Sequence, residues 1–405
     1  MKQVSSPIVA EGWGVCYDPQ VVPRIYLDYN ATTPLVSPAL DRLCSVARET
    51  WGNASSVHHF GQQAKAVLDG ARASVSALLG AEPSEVVFTG GGTDGDNAAV
   101  RGAMDAAEAT GRRHLIISGI EHEAVLQTAK ALARHGVRVT HLPVGQSGVV
   151  EPSALAEALT DDTALVSVMH ANNEIGTVQP VTALAALASS RGALFHTDAV
   201  QTAGKLPIDV RALGVDLLSI SAHKFGGPKG VGALWIRRGV RLVPSMTGGR
   251  QERNRRAGTE NVAGLAGMGA AADYARSVMS EAAPRVAALR DRLERGILDG
   301  VSASAVNGIG PRVPNTTNIS FDRVESESLL IALDLQGIAV SSGSACSSGT
   351  LEPSHVLKAM GFPHARTLNS LRFSLGAANT EAEIDHVVSV LPALVTKLRG
   401  LAARA

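Results

Sequence analysis

The sequence predicts an α/β fold, with a large domain built on a mostly parallel seven-stranded sheet and a smaller α/β domain beside it. Seven short apolar runs, at 86–88, 115–118, 137–142, 164–170, 193–197, 217–221 and 232–237, have helical stretches between most of them. That alternation is the pattern of parallel strands joined by crossover helices and covered on both faces. A long helical stretch at 260–298 then leads into a second pattern, with strands at 315–321, 338–342 and 371–375 and helices at 326–335 and 354–360. With 405 residues, 45% of them hydrophobic, the chain has material for two cores. The expected division is an arm at 1–33 that joins the small domain, a large domain at 34–280 and a small domain at 281–405.

The elements follow in order. Residues 1–24 carry no clear periodicity. IYLDYNATTP, at 25–34, reads as a short strand running into a polar turn, 35–51 as a helix and GNASSVHHFG as a polar loop. Apolar residues at helical spacing over 62–79 predict a helix closed by Gly80. The last helix opens with Thr380 and Glu383, a capping-box pair. In open α/β sheets ligands bind beyond the carboxyl ends of the strands. Thr93, His122, Asn173, Asp198, Ser221, His223 and Lys224 all fall there.

Composition limits the function classes. Lys+Arg and Asp+Glu are equal at 37 each, so net charge gives no case for nucleic acid or a membrane surface as partner. No apolar run approaches the ~20 residues of a membrane span, and the first residues do not read as a secretory signal. Three scattered cysteines, Cys16, Cys44 and Cys346, suit neither a disulfide framework nor a zinc site. A reducing cytoplasm is the expected compartment.

The chemistry centres on DLLSISAHKFGGPKG, at 216–230. Taken alone, Lys224 could be a surface lysine in a hairpin. At the end of a buried strand its amine would instead be desolvated and its pKa lowered, which makes a nucleophile for an aldehyde cofactor. Asp198 ends the preceding apolar run, and a buried carboxylate there needs a partner. Pyridoxal phosphate supplies one through its ring nitrogen. FTGGGTDGDN places backbone N–H groups and the Thr93 hydroxyl where a helix N-terminus could hold a phosphate. The same glycines (Gly90, Gly92, Gly95), with Glu121 about one βα unit further on, also satisfy a dinucleotide-binding pattern. His122 is either a helix-start histidine facing solvent or a ring stacked on a cofactor. RQERNRRAGTEN, at 250–261, is either a solvated basic loop or a second phosphate contact. Small residues and glycines surround Cys346 in VSSGSACSSG, a setting for a reactive thiol rather than a packed one. Arg372, in an apolar strand, is either a salt-bridge partner or a bidentate clamp on a substrate carboxylate.

Together YLDYNATTP, GNASSVHHFG, EHEAVLQT, MHANNEIGTVQP, HTDAVQTAGKLPID, SAHKFGGPKG, RRAGTEN, SSGSACSSGTLEPSHVL and LRFSLG resemble the NifS/IscS-type cysteine desulfurases, in the class V aminotransferase branch of the fold-type I pyridoxal-phosphate enzymes. The resemblance implies that Lys224 is the Schiff-base lysine, Asp198 the ring-nitrogen partner, Gln201 a contact to the ring hydroxyl and His122 the stacking ring. It implies that Thr93, Ser221 and His223 hold the phosphate, with Thr259 reaching it from the other subunit of a homodimer. Asn173 and Arg372 would bind the carboxylate of L-cysteine, and Cys346 would take the sulfur as a persulfide. Alanine is then the product, and the sulfur passes to an acceptor such as an iron–sulfur scaffold protein or a thiolation pathway. TDGDN departs from the family's usual TESDN or TESNN. A selenocysteine lyase or a related enzyme of the same branch is the alternative.

Overall fold

The computed structural model describes residues 24–342 and 353–402. The large sheet contains β1 (Val86–Thr89), β2 (His114–Ser118), β3 (Arg138–Leu142), β4 (Thr163–Ser167), β5 (Leu194–Asp198), β6 (Leu217–Ser221) and β7 (Gly232–Ile236). Their order is β1-β7-β6-β5-β4-β2-β3, and every pairing is parallel except those of β7. The reversal of β7 has a local cause. The chain returns from Lys224 through a glycine-rich turn that sets Ser221 opposite Gly232, whereas a parallel neighbour requires a crossover of about a dozen residues or more.

Alternation along the strands divides their side chains between two covered faces. Phe88, Ile116 and Val166 point into one core, and Val87, Leu115 and Leu165 into another. β3 lies at the sheet edge and carries the exposed Arg138, as edge strands often carry charge. Among the helices are α1 (Ser37–Glu49), α2 (His59–Leu79), α3 (Gly92–Ala107) and α4 (Glu123–Ala133). α2 ends on Gly80 in the left-handed conformation, φ 65°. It starts three residues before the expected 62, because His58 Nδ1 accepts the Gly61 N–H and caps the first turn.

The helix expected at 260–298 is α5 (Val262–Gly300), which serves both cores. Leu265, Met268 and Ala272 pack into the sheet's core, while Val286, Leu289, Leu293 and Ile297 pack into a separate one. Pro284 lies between these stretches. The second core covers an antiparallel sheet of β8 (Ser304–Val306), β9 (Thr316–Phe321) and β10 (Ser370–Ser374), and the closing helix α6 (Glu381–Ala402) packs on it. Thr380 and Glu383 form the expected reciprocal cap, with N–H···O distances of 2.8 and 3.3 Å. The strand expected at 338–342 is shorter. Ile338–Ala339 pairs with Ile25–Tyr26, and Ser341 makes an isolated bridge to Arg372. Ile25 and Leu27 belong to the second core. Among the described residues no helix is long and apolar enough to cross a membrane.

Candidate active site

The carboxyl ends of β2, β5 and β6 and the start of α3 open onto one cavity of about 360 Å³, lined among others by Thr93, His122, Asp198, Ser221, Lys224 and Arg372. Strand polarity explains the convergence. β5 ends on Asp198 and its parallel neighbour β6 on Ser221, so the next residues of each emerge at the same rim. Asn173, Gln201 and His223 also line the cavity.

Lys224 follows β6 in a single 3₁₀ turn. Its Nζ donates to the carbonyls of Asn30 (2.5 Å) and Ala31 (2.9 Å). Burial, aided by the nearby Arg372 charge, brings its pKa down to about 8, while Asp198 and Asp28 pull the other way. Such an amine is partly unprotonated near neutral pH. Asp198 is buried, and its Oδ1 accepts the Val200 N–H at 2.8 Å. Burial raises its pKa, and His122 and Lys224 oppose that rise, so a cationic ring nitrogen in the cavity would favour its ionised form.

At the other end the chain forms an anion cradle. Gly91, just before α3, has φ 145°, and a Cβ on Gly92 would come within 2.8 Å of Val200. Both positions therefore need glycine, and the backbone approaches the cavity closely. Thr93, Ser221 and His223 face the same space, which widens outward past Arg256. Burial and the charges of Lys224 and Lys229 bring the His223 pKa down to about 4, so its ring is neutral at pH 7. Arg256 is held by Asp94, Nε to Oδ2 2.7 Å.

The buried guanidinium of Arg372 enters from β10. Nη2 pairs with Asp28 at 2.6 Å and Nη1 donates to the Asn173 carbonyl at 3.1 Å. Both sequence readings of Arg372 therefore have a counterpart, a salt bridge and a place on the cavity wall. His122 caps α4, with Nδ1 accepting the Ala124 N–H at 3.1 Å. That bond leaves Nε2 as the protonated nitrogen of the neutral ring.

Beneath the cavity lies a layer of buried acids. Asp96 is buried, with Oδ1 lacking a hydrogen-bond partner among the described residues and lying 3.6 Å from His196 Nε2. Burial and the neighbouring Asp198 raise its pKa. Glu121 Oε1 accepts from Ser118 Oγ and from the Met169 N–H, and burial pushes its pKa up to about 8 from an ordinary 4.5. Enclosed in this way, Glu121 is not placed to accept a ribose hydroxyl, which removes the acidic residue from the dinucleotide pattern. Its titration has a sign. A raised folded pKa gives stability that is complete below about pH 4.5 and is lost as pH rises through about 8. Glu121→Gln should therefore flatten the fall in unfolding free energy over that window by several kcal/mol. Denaturant unfolding at a series of pH values measures it, and equal slopes in the two proteins would contradict the assignment.

The structure thus brings nine of the eleven predicted site residues to one cavity, with two exceptions. Thr259 is exposed and does not line its own chain's cavity. Cys346, like Cys16, lies outside the described residues. Cys44 sits half-buried on α1. Sequence reasoning missed Asp28, Asn30, Asp96 and Lys205, all of which stand inside motifs it quoted. Asn30 in particular bonds to Lys224, Gln201, Lys205 and Thr316. A polar residue between a strand and a turn was the only local signal.

The donor set fits pyridoxal phosphate, with hydroxyls and a helix N-terminus for the phosphate, a buried carboxylate for the ring nitrogen and a desolvated amine for the aldehyde. Among the described residues no cluster of His, Cys, Asp or Glu is arranged to hold a metal. Residues 25–387 match the aminotransferase class-V family. The chain is 46% identical over 379 residues to "Cysteine desulfurase IscS" of Dictyoglomus turgidum, covering 93% of this chain and 96% of that one. It is 48% identical over 378 residues to "Cysteine desulfurase" of a Nostoc species, covering 93% and 94%. Among solved structures, a "NIFS-like protein" superposes with a TM-score of 0.85 at 37% identity, covering 95% of this chain and all of that one. "SspA in complex with cysteine" superposes with a TM-score of 0.78 at 33% identity, covering 88% and 100%.

Proposed function

The chain belongs to the aminotransferase class-V family, and from that premise we propose that it is a pyridoxal-phosphate-dependent cysteine desulfurase. It converts L-cysteine to L-alanine and passes the sulfur through a persulfide on Cys346 to an acceptor protein. The observation that carries the reading is the convergence of Lys224, Asp198 and Arg372 on one cavity at the strand ends. The names of the relatives support desulfuration over the selenocysteine lyase alternative.

When bound, pyridoxal phosphate supplies an aldehyde for amines and a ring that accepts electron density from the substrate's Cα. Thr93, Ser221, His223 and the N–H groups at the start of α3 hold the phosphate, and Thr259 reaches it from the partner subunit of a homodimer. Asp198 keeps a negative charge against the ring nitrogen, and Gln201 faces the ring hydroxyl. His122 would stack on the ring and present an N–H at Nε2. Arg372 and Asn173 orient the substrate carboxylate, and the Asp28 contact fixes the guanidinium plane. Lys224 would be the amine that the cofactor aldehyde takes up and the base placed to take the α-proton. Cys346 thiolate would attack the substrate sulfur, forming the S–S bond as the Cβ–S bond breaks; the bonding pair stays on Cβ, which takes a proton and leaves as the methyl group of alanine.

The two cores support a division into a large domain at 34–280 and a small one at 281–405 that 1–33 joins. The cysteine usage supports a reducing cytoplasm, and the IscS name of relatives supports iron–sulfur assembly over thiolation as the sulfur's destination. The purified protein should be yellow and should form one alanine per sulfur released from L-cysteine in the presence of a thiol. A colourless protein that gives no alanine after cofactor is added would sink the reading.

A further inference from the structure

We propose that Lys205 is a positioning residue for this site, an amine that holds the side-chain oxygens of Gln201 and Asn30 and so fixes the wall against which Lys224 works. The inference rests on the proposed function for its catalytic consequence.

Lys205 lies in the turn after β5. Gly204 before it has φ 73°, and a Cβ there would come within 2.6 Å of Phe225 Cβ, next to Lys224. Only glycine satisfies both demands, and the close approach delivers Lys205 to the back of the active site. Its Nζ donates to Gln201 Oε1 (2.9 Å) and Asn30 Oδ1 (3.1 Å). An uncharged amine has two N–H donors, and these acceptors use both. An ammonium would carry a third donor, and among the described residues no carboxylate lies within ion-pairing distance to offset its charge.

The surrounding charges favour the uncharged form. Burial, with the charge of Arg372 and any charge on Lys224, holds Lys205 well below its ordinary pKa of 10.5. Lys205 also lines a second cavity, about 550 Å³, whose walls include Val36, Val278 and Met279. A charge beside such walls is poorly solvated.

The bonds continue toward the reaction. With Gln201 Oε1 occupied, its Nε2 donates to the Asn30 carbonyl at 3.1 Å, the same carbonyl that accepts Lys224 Nζ. The Asn30 amide donates to Thr316 Oγ1 and the Asn173 carbonyl. Removing Lys205 takes away the donor to Gln201 Oε1, which frees that amide to turn over, and leaves Asn30 Oδ1 with the Asn315 amide alone, at 3.0 Å.

The test compares Lys205→Met and Lys205→Arg in the holoenzyme. Lys205→Met removes both donors without adding charge. It should keep a wild-type unfolding midpoint to within a few degrees and a borohydride-reducible linkage at Lys224. It should also shift the pH midpoint of the visible spectrum by about one unit and lower kcat about tenfold with little change in KM. Lys205→Arg keeps donors but imposes a permanent charge on the side of Arg372, with no carboxylate among the described residues to pair with it, so it should do worse than Lys205→Met in spectrum, turnover and unfolding midpoint. A wild-type spectrum and turnover in Lys205→Met, or rescue by Lys205→Arg, would overturn the proposal while leaving the function intact. A wild-type protein with no lysine-linked cofactor would overturn both.

Discussion

Lys224→Ala is expected to lose alanine formation by on the order of a thousandfold or more, because one amine holds the aldehyde and removes the α-proton. The folded structure has prepared that amine. It is enclosed, it donates to two backbone carbonyls and its pKa is lowered to about 8. Capture of the aldehyde needs the unprotonated form, so the rate at which cofactor-free protein takes up pyridoxal phosphate should rise with pH through about 8. Asp198 opposes the lowering. Asp198→Asn should therefore move that rise to lower pH even as it weakens retention of the cofactor. Borohydride reduction followed by peptide mass analysis locates the linkage. A label on another lysine of the wild-type protein, with Lys205 the nearest test of selectivity, would show that the assignment is wrong.

Two kinds of information explain what the sequence could reveal. Strand and helix positions were legible because burial imposes a period on nearby residues, as in the opposed pairs Val87/Phe88 and Leu115/Ile116. The parallel sheet then placed Asp198, Ser221 and Lys224 at one rim by polarity alone. The GGPKG turn, too short for a crossover helix, accounts for the reversed β7. Partnerships made across long separations were not legible. The Arg372–Asp28 pair joins positions 344 apart, and the Asn30 amide reaches Thr316 across 286. No local period encodes such contacts. Glu121 shows the opposite error. Its spacing after a glycine-rich turn suited a ribose contact, but β2 and the turn after it carry the side chain inward, where Ser118 and the Met169 N–H enclose it.

Cys346→Ser is expected to retain colour, a reducible linkage at Lys224 and a spectral change on adding L-cysteine, yet to release alanine on the order of a thousandfold more slowly. The steps separate because each depends on different atoms. Substrate docking and α-proton removal use Arg372, Asn173 and Lys224, all on the described cavity wall. Breaking the Cβ–S bond needs a thiolate to accept the sulfur, and a serine hydroxyl is far less nucleophilic at neutral pH. The chain flanking the segment that carries Cys346 is anchored at the site. Ser341 lines the cavity, Ser354 Oγ donates to Glu174 Oε2 at 2.6 Å, and His355 Nε2 meets the Glu121 carbonyl at 2.9 Å. Cys44 has no such connection, since it sits on α1 away from the cavity-lining residues. A Cys16→Ser/Cys44→Ser double variant should therefore turn over normally and carry labelled sulfur on Cys346 after exposure to labelled cysteine. Label on Cys16 or Cys44 of the wild-type protein, or normal turnover by Cys346→Ser, would remove Cys346 from the reaction.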